Sequence, residues 1–126
     1  MRHVCAGSLH VPLPPERTAG LFTPEGERAW ARGWSPEYPA AGGPVFTTHD
    51  GTTVWVDLGG LRYARVTPGL QAGTVAVRLT AEGAGTRAEV TYDLTALADD
   101  THLADFAAGF DAMLAGWERD IAAALS

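Results

Sequence analysis

The chain of 126 residues contains no lysine and only one cysteine, and its acids outnumber its bases to leave a formal charge of −6. Each scarcity excludes a class of function. The nine basic residues are all arginine and lie scattered, so no basic stripe exists to neutralise a phosphate backbone and no nucleic-acid partner is expected. With Cys5 alone, neither an intrachain disulfide nor a thiolate metal cluster can form. His3, His10, His49 and His102 lack metal-ligand spacing, so no metal and no other cofactor is expected. No apolar run approaches the roughly 20 residues of a membrane span, which argues against a membrane partner. The opening MRHVCAGSLHVPLPP lacks the uninterrupted apolar stretch of a signal peptide, and the cytoplasm is the expected compartment. The length suits one domain over residues 1–126 with one core.

What is present is punctuation and period. Residues Val4 to Leu13 alternate, with Leu9, Val11 and Leu13 on one side, before Pro14-Pro15-Glu16 stops the strand and opens a short helix. Thr23-Pro24-Glu25 is a second helix start, with threonine as N-cap and acids in the first turn; Gly33 is the expected left-handed residue at its end. Glu25 and Glu27 read as helix-start charges, as do Asp99 and Asp100. The segment carries two of the four tryptophans, Trp30 and Trp34.

From Val45 the period becomes two. Asp50-Gly51, Gly59-Gly60, Pro68-Gly69 and the Glu82–Gly85 stretch divide it into a five-strand antiparallel meander. Residues paired across a two-residue turn share a face. Pairing His49 with Thr52 sets Thr47 beside Val54 and Val45 beside Val56. Pairing Leu58 with Leu61 across Gly59-Gly60 then sets Val56 beside Tyr63 and Val54 beside Arg65. This register gives an inner face of Val45, Thr47, His49, Val54, Val56, Leu58, Leu61, Tyr63 and Arg65. It sends Phe46, Trp55, Asp57, Arg62 and Ala64 outward, with Asp57 and Arg62 as cross-strand partners. Val75, Val77 and Leu79, and Ala88, Val90, Tyr92 and Leu94, continue the inner face. From Thr101 onward Leu103, Phe106, Phe110, Met113, Trp117, Ile121 and Leu125 recur at three and four, predicting a helix roughly 39 Å long. Gly109 and Gly116 beside that stripe predict either a close approach of the sheet or open space.

A strand, two short helices, a meander and a long C-terminal helix make the order of the helix-grip fold, an α+β class with a curved antiparallel sheet wrapped on the last helix. LFTPEGERAW with GWSPEY, then RVTPG, GTVAVRL and GTRAEVTYDLTAL, resemble the SRPBCC superfamily, which is related to START domains, polyketide cyclases and aromatases, and the birch-pollen allergen family. The resemblance covers nearly the whole chain and implies an apolar cavity between sheet and long helix, closed at one end by Leu21 to Tyr38. Relatives carry bulky apolar residues in the first short helix, whereas Thr18, Ala19 and Gly20 stand here, which predicts a loose lid.

The resulting expectation is a cavity for a small apolar or aromatic molecule. Its walls are Val54, Val56, Tyr63, Val75, Val77, Val90, Tyr92, Phe106, Phe110, Met113 and Trp117, and Trp30 and Trp34 close it. Arg65 either orients a ligand carboxylate or enolate or reaches solvent or an acid near its strand end. Two other classes remain open. One is a cyclase or aromatase using the shaped cavity and one or two donors; the other is a protein-binding module of the chaperone-activator type. An exposed Phe46 and Trp55 pair would mark the latter, or a homodimer contact. Ser8 and His10 share a strand side but have no orienting acid, and no catalytic residue is assigned.

Overall fold

The strand alternation and the C-terminal period are both realised in the computed structural model, which describes residues 1–126. Strand β1 (Arg2–Val11) leads through helix α1 (Pro15–Thr18) and two 3₁₀ turns, Ala19–Phe22 and Gly26–Ala29, into strands β2 (Val45–Thr48), β3 (Thr53–Gly59), β4 (Arg62–Thr67), β5 (Gln71–Glu82) and β6 (Gly85–Ala96). Helix α2 (Thr101–Ala124) ends the chain. All strand pairs are antiparallel in the order β1-β6-β5-β4-β3-β2, so the first strand closes onto the last. This is the expected meander with β1 added at its far edge.

Helix α2 lies along the inner face and buries Leu103, Phe110, Leu114 and Ile121. The Asp99 carboxylate accepts the Thr101 main-chain N–H at 2.6 Å, which fixes its start. At 1.5 Å per residue its 24 residues span about 36 Å. Gly109 does not meet the sheet, for it faces solvent with open space around it. The close approach is made by Gly7 of β1, where a Cβ would stand 2.7 Å from Leu114 Cδ1. A strand glycine thus lets the helix settle onto β1.

The sheet register departs from expectation at one turn, and the faces of two strands depend on it. The β2–β3 pairing is as expected, Val45 with Val56 and Thr47 with Val54. The next hairpin turns at Gly60-Leu61, both at positive φ, and Gly59 pairs with Arg62. A bulge between Asp57 and Gly59 then sets Asp57 opposite Tyr63 and Trp55 opposite Arg65. The Asp57 carboxylate accepts the Gly59 N–H at 2.8 Å across the bulge, and no ion pair joins it to Arg62. A one-residue slip exchanges the faces of a strand relative to its neighbour. Phe46 and Trp55 are therefore inside, 1% and 6% exposed, and Val54 and Val56 lie on the opposite side. The aromatic pair is unavailable for a protein-binding patch or a homodimer contact.

The first short helix is not loose. Thr18 is fully buried, its hydroxyl 3.0 Å from the carbonyl oxygens of both Leu13 and Pro14 and 3.2 Å from Thr86 Oγ1. Phe22, one turn on, supplies the bulky apolar side chain at 1% exposure.

Substituting Gly7→Val forces Leu114 and α2 away from β1. Overpacking of this kind costs about 1–3 kcal/mol, and a urea unfolding curve of the variant will show it as a lowered midpoint at unchanged slope.

Candidate functional site

The closing segment is held by its tryptophans through their polar edges. Thr23 Oγ1 accepts the Gly26 N–H at 3.0 Å, so the threonine does cap a turn, but the turn is a single 3₁₀ one instead of a helix running to Gly33. Gly33 does adopt the left-handed conformation, at φ 69. Trp30 Nε1 donates to the Leu21 carbonyl and Trp34 Nε1 to the Pro24 carbonyl, both at 2.8 Å. The Trp30 ring meets Phe22 and Trp117 edge-on at 5.9 and 5.6 Å; the Trp34 ring meets Phe46 and Trp55 at 6.1 and 5.6 Å. A pair of main-chain hydrogen bonds between Glu37 and Thr47 ties the end of the segment to β2. Trp30 is buried and Trp34 half-buried, and each has the ring partner and the acceptor that an indole withdrawn from water needs.

Beneath that segment a cavity of about 310 Å³ opens between the sheet and α2. Of the residues expected at it, Trp30, Trp34, Tyr63, Arg65, Val75, Val77, Tyr92, Phe106, Met113 and Trp117 line it. Val54 and Val56 do not, because the register turns them to the other face. Val90 and Phe110 do not either: both point inward but are packed in the core beneath α2, Phe110 with its ring 5.8 Å from Tyr92 and 5.7 Å from Phe106. Phe46 and Trp55 take the places expected for the valines and stack at 5.8 Å with an interplanar angle of 6°. His49 lines the cavity but is exposed, a rim position.

The polar groups of the cavity differ in how they are satisfied. The Tyr63 hydroxyl donates to the Phe22 carbonyl at 3.0 Å, and burial pushes its pKa well up. The Tyr92 ring packs 5.0 Å from Phe106, and burial raises its phenol to about 12, opposed by Arg65. Arg32 Nη2 meets Asp120 Oδ1 at 3.1 Å, bridging the closing segment and α2.

Arg65, unlike Arg32, stands at the cavity without an acid. Its guanidinium carbon lies 5.2 Å from the Trp55 ring centre and 6.0 Å from that of Tyr92, and its buried Nε has no hydrogen-bond partner. Burial lowers its pKa, with Tyr92 acting the other way, and no acid pairs with it. Stacking on aromatic faces makes up part of its lost hydration. Of the alternatives for Arg65, the acid partner is absent, and the side chain is half-buried at the cavity.

Glu27 is the residue that its sequence context concealed. Its neighbour Glu25 is exposed and engaged, with Arg28 Nε at 2.9 Å and the Tyr38 hydroxyl at 2.8 Å, which hold its pKa down. Glu27 lines the cavity with no hydrogen bond or ion pair from the protein, and burial pushes its carboxyl from the ordinary 4.5 up to about 8. Ser8 and His10, by contrast, do not form a pair. His10 instead meets Glu82 at 2.9 Å on the outer side of β1.

No protein-family model matches the chain, and no curated protein matches it in sequence. Solved structures do match its fold. CalU16 from Micromonospora echinospora superposes with a TM-score of 0.65 over 94% of this chain and 81% of its own, at 18% identity. Ara h 8.0201 gives 0.60 over 98% and 99%, also at 18% identity. The chain has the helix-grip fold. TTHA0849 from Thermus thermophilus agrees, at 0.52 over 98% and 100% with 21% identity. Helix-grip architecture is what the motif resemblance to the SRPBCC superfamily implied, and it accounts for a cavity between sheet and helix. At such identities the likeness carries the architecture, and the chemistry rests on this chain's own side chains.

Glu27 also makes the fold's stability depend on pH. The folded state keeps this proton up to about pH 8, whereas the unfolded chain releases it near 4.5. Unfolding therefore releases a proton between those limits, and stability falls as pH rises through that window. Glu27→Gln removes the penalty: the variant gains on the order of a few kcal/mol over the parent at pH 8, an advantage that vanishes below about pH 4.5. Urea unfolding at the two pH values checks this.

Proposed function

We propose that residues 1–126 form one binding unit for a small, flat, largely aromatic anion, a carboxylate or enolate, taken into the cavity with its charge on Arg65. The observation that supports this reading is the buried Arg65 Nε, which has no partner in the protein, in a chamber whose walls are largely aromatic and aliphatic. A buried donor left unmatched costs about 1–3 kcal/mol, and an anionic ligand would remove that cost. A volume of about 310 Å³ is at the small end of ligand pockets and suits one or two fused rings.

A second reading, turnover of the bound molecule, draws on the Tyr92 ring beside the same guanidinium. An enolate formed in the cavity would meet a fixed cation, and electrostatic stabilisation of that kind lowers the barrier to reactions at the adjacent carbon. Cyclase or aromatase chemistry fits this reading; carriage alone fits the first.

Isothermal titration with 2-naphthoate is the direct test. Arg65→Met, which keeps the apolar stem, should weaken binding about 10- to 100-fold, the range for a hydrogen bond to a charged group. Equal affinity in parent and variant, or no heat of binding in the parent, would sink the anion reading.

A further inference from the structure

Glu27 is a half-buried carboxyl group at the cavity that the anion-binding reading leaves unused. It stands on the 3₁₀ turn of the closing segment, across the cavity from the sheet that bears Arg65. The other cavity carboxylate, Asp120, has Arg32 at 3.1 Å, while no cation or donor reaches Glu27. A carboxyl partly withdrawn from water among aromatic walls, with no cation or donor against it, favours its neutral form. Once neutral it becomes a donor, with one O–H directed at whatever fills the cavity.

We propose that Glu27 acts as a neutral hydrogen-bond donor to the ligand, so that the cavity selects aromatic anions carrying a second, uncharged acceptor oxygen, a ketone or aldehyde carbonyl, at a point separate from the charged group. The proposal extends the assignment of Arg65 as the anion site. The charged and titratable groups facing the same space are Arg32, His49, Tyr63, Arg65, Tyr92 and Asp120. Arg32 and Asp120 neutralise one another, and the Tyr63 proton is directed at Phe22. Both tyrosines stay protonated to higher pH than Glu27, whose carboxyl is raised by burial to about 8. Glu27 is thus the cavity group whose donor capacity is lost on the alkaline side of neutrality. Above that pH its carboxylate repels a carbonyl oxygen that it formerly bound.

The test compares 2-naphthoate with 6-acetyl-2-naphthoate by isothermal titration at pH 6.5 and pH 9.5. The parent should favour the acetyl compound about five- to tenfold at the lower pH, as one neutral hydrogen bond allows, and lose the preference at the higher. Glu27→Gln keeps an N–H donor at both pH values and should keep the preference at both; Glu27→Met should show none. A parent preference that is absent at pH 6.5, or unchanged at pH 9.5, overturns the proposal, as does its loss in Glu27→Gln. The neutral pair 2-acetylnaphthalene and 2-ethylnaphthalene repeats the comparison without any charge for Arg65 to hold. If only the neutral pair shows the pH-dependent preference, Arg65 is not the anion site and the Glu27 assignment stands. If none of the four compounds binds, both assignments fail.

Discussion

Leu61 adopts φ 60 beside Gly60 at φ 64, and this two-residue turn, with the bulge before it, sets β4 against β3. An L side chain in that conformation is uncommon and costs free energy, which the surrounding pairing must offset. The Leu61 carbonyl does so in part by accepting the Val77 N–H at 3.0 Å. Because of this register, Trp55 stands opposite Arg65, and Phe46, Trp55, Tyr63 and Arg65 share the inner face. A register one residue away would put valines beside the guanidinium. It would take the Trp55 face from the cation and leave the indole in water.

The rest of the site follows from having a cation on the chamber floor. Arg65 loses hydration, and its compensation comes from the Trp55 and Tyr92 rings, not from an acid. An acid there would cancel its attraction for an anion. The walls are held in place before any ligand arrives: both indole N–H groups of the closing segment are spent on backbone carbonyls, and Tyr63 on a third. A chamber ordered in this way loses little entropy on binding, so weak contacts count for more. The polar groups not spent on the scaffold are those with a role to propose.

Most of the fold was legible because alternation and helical period are strong, repeated signals. The strands, the long helix, the β2–β3 register and the inward Tyr63, Arg65 and Tyr92 were all readable. The β3–β4 register was not, since Gly59-Gly60 satisfies hairpin chemistry as well as Gly60-Leu61 does, and a leucine at positive φ is disfavoured until the sheet demands it. That single step hid Phe46 and Trp55 from the site and admitted Val54 and Val56. Glu27 was concealed by a genuine capping signal: Thr23-Pro24-Glu25 does begin a turn, but the turn stops as 3₁₀ and leaves Glu27 at the cavity. Charge pattern alone gives no hint of such a place. Of the two alternatives at Gly109 the open space is realised, and the close helix contact is made possible by a glycine in the strand, Gly7.

A crystal structure of the protein grown with 2-naphthoate tests the central claim most directly. Electron density for the naphthyl ring is expected among Trp30, Trp55 and Trp117, with a carboxylate oxygen within hydrogen-bond distance of Arg65 Nε and the Gly60-Leu61 turn at positive φ. An Arg65 side chain turned out to solvent or to an acid, over a cavity closed by its own side chains, would contradict it.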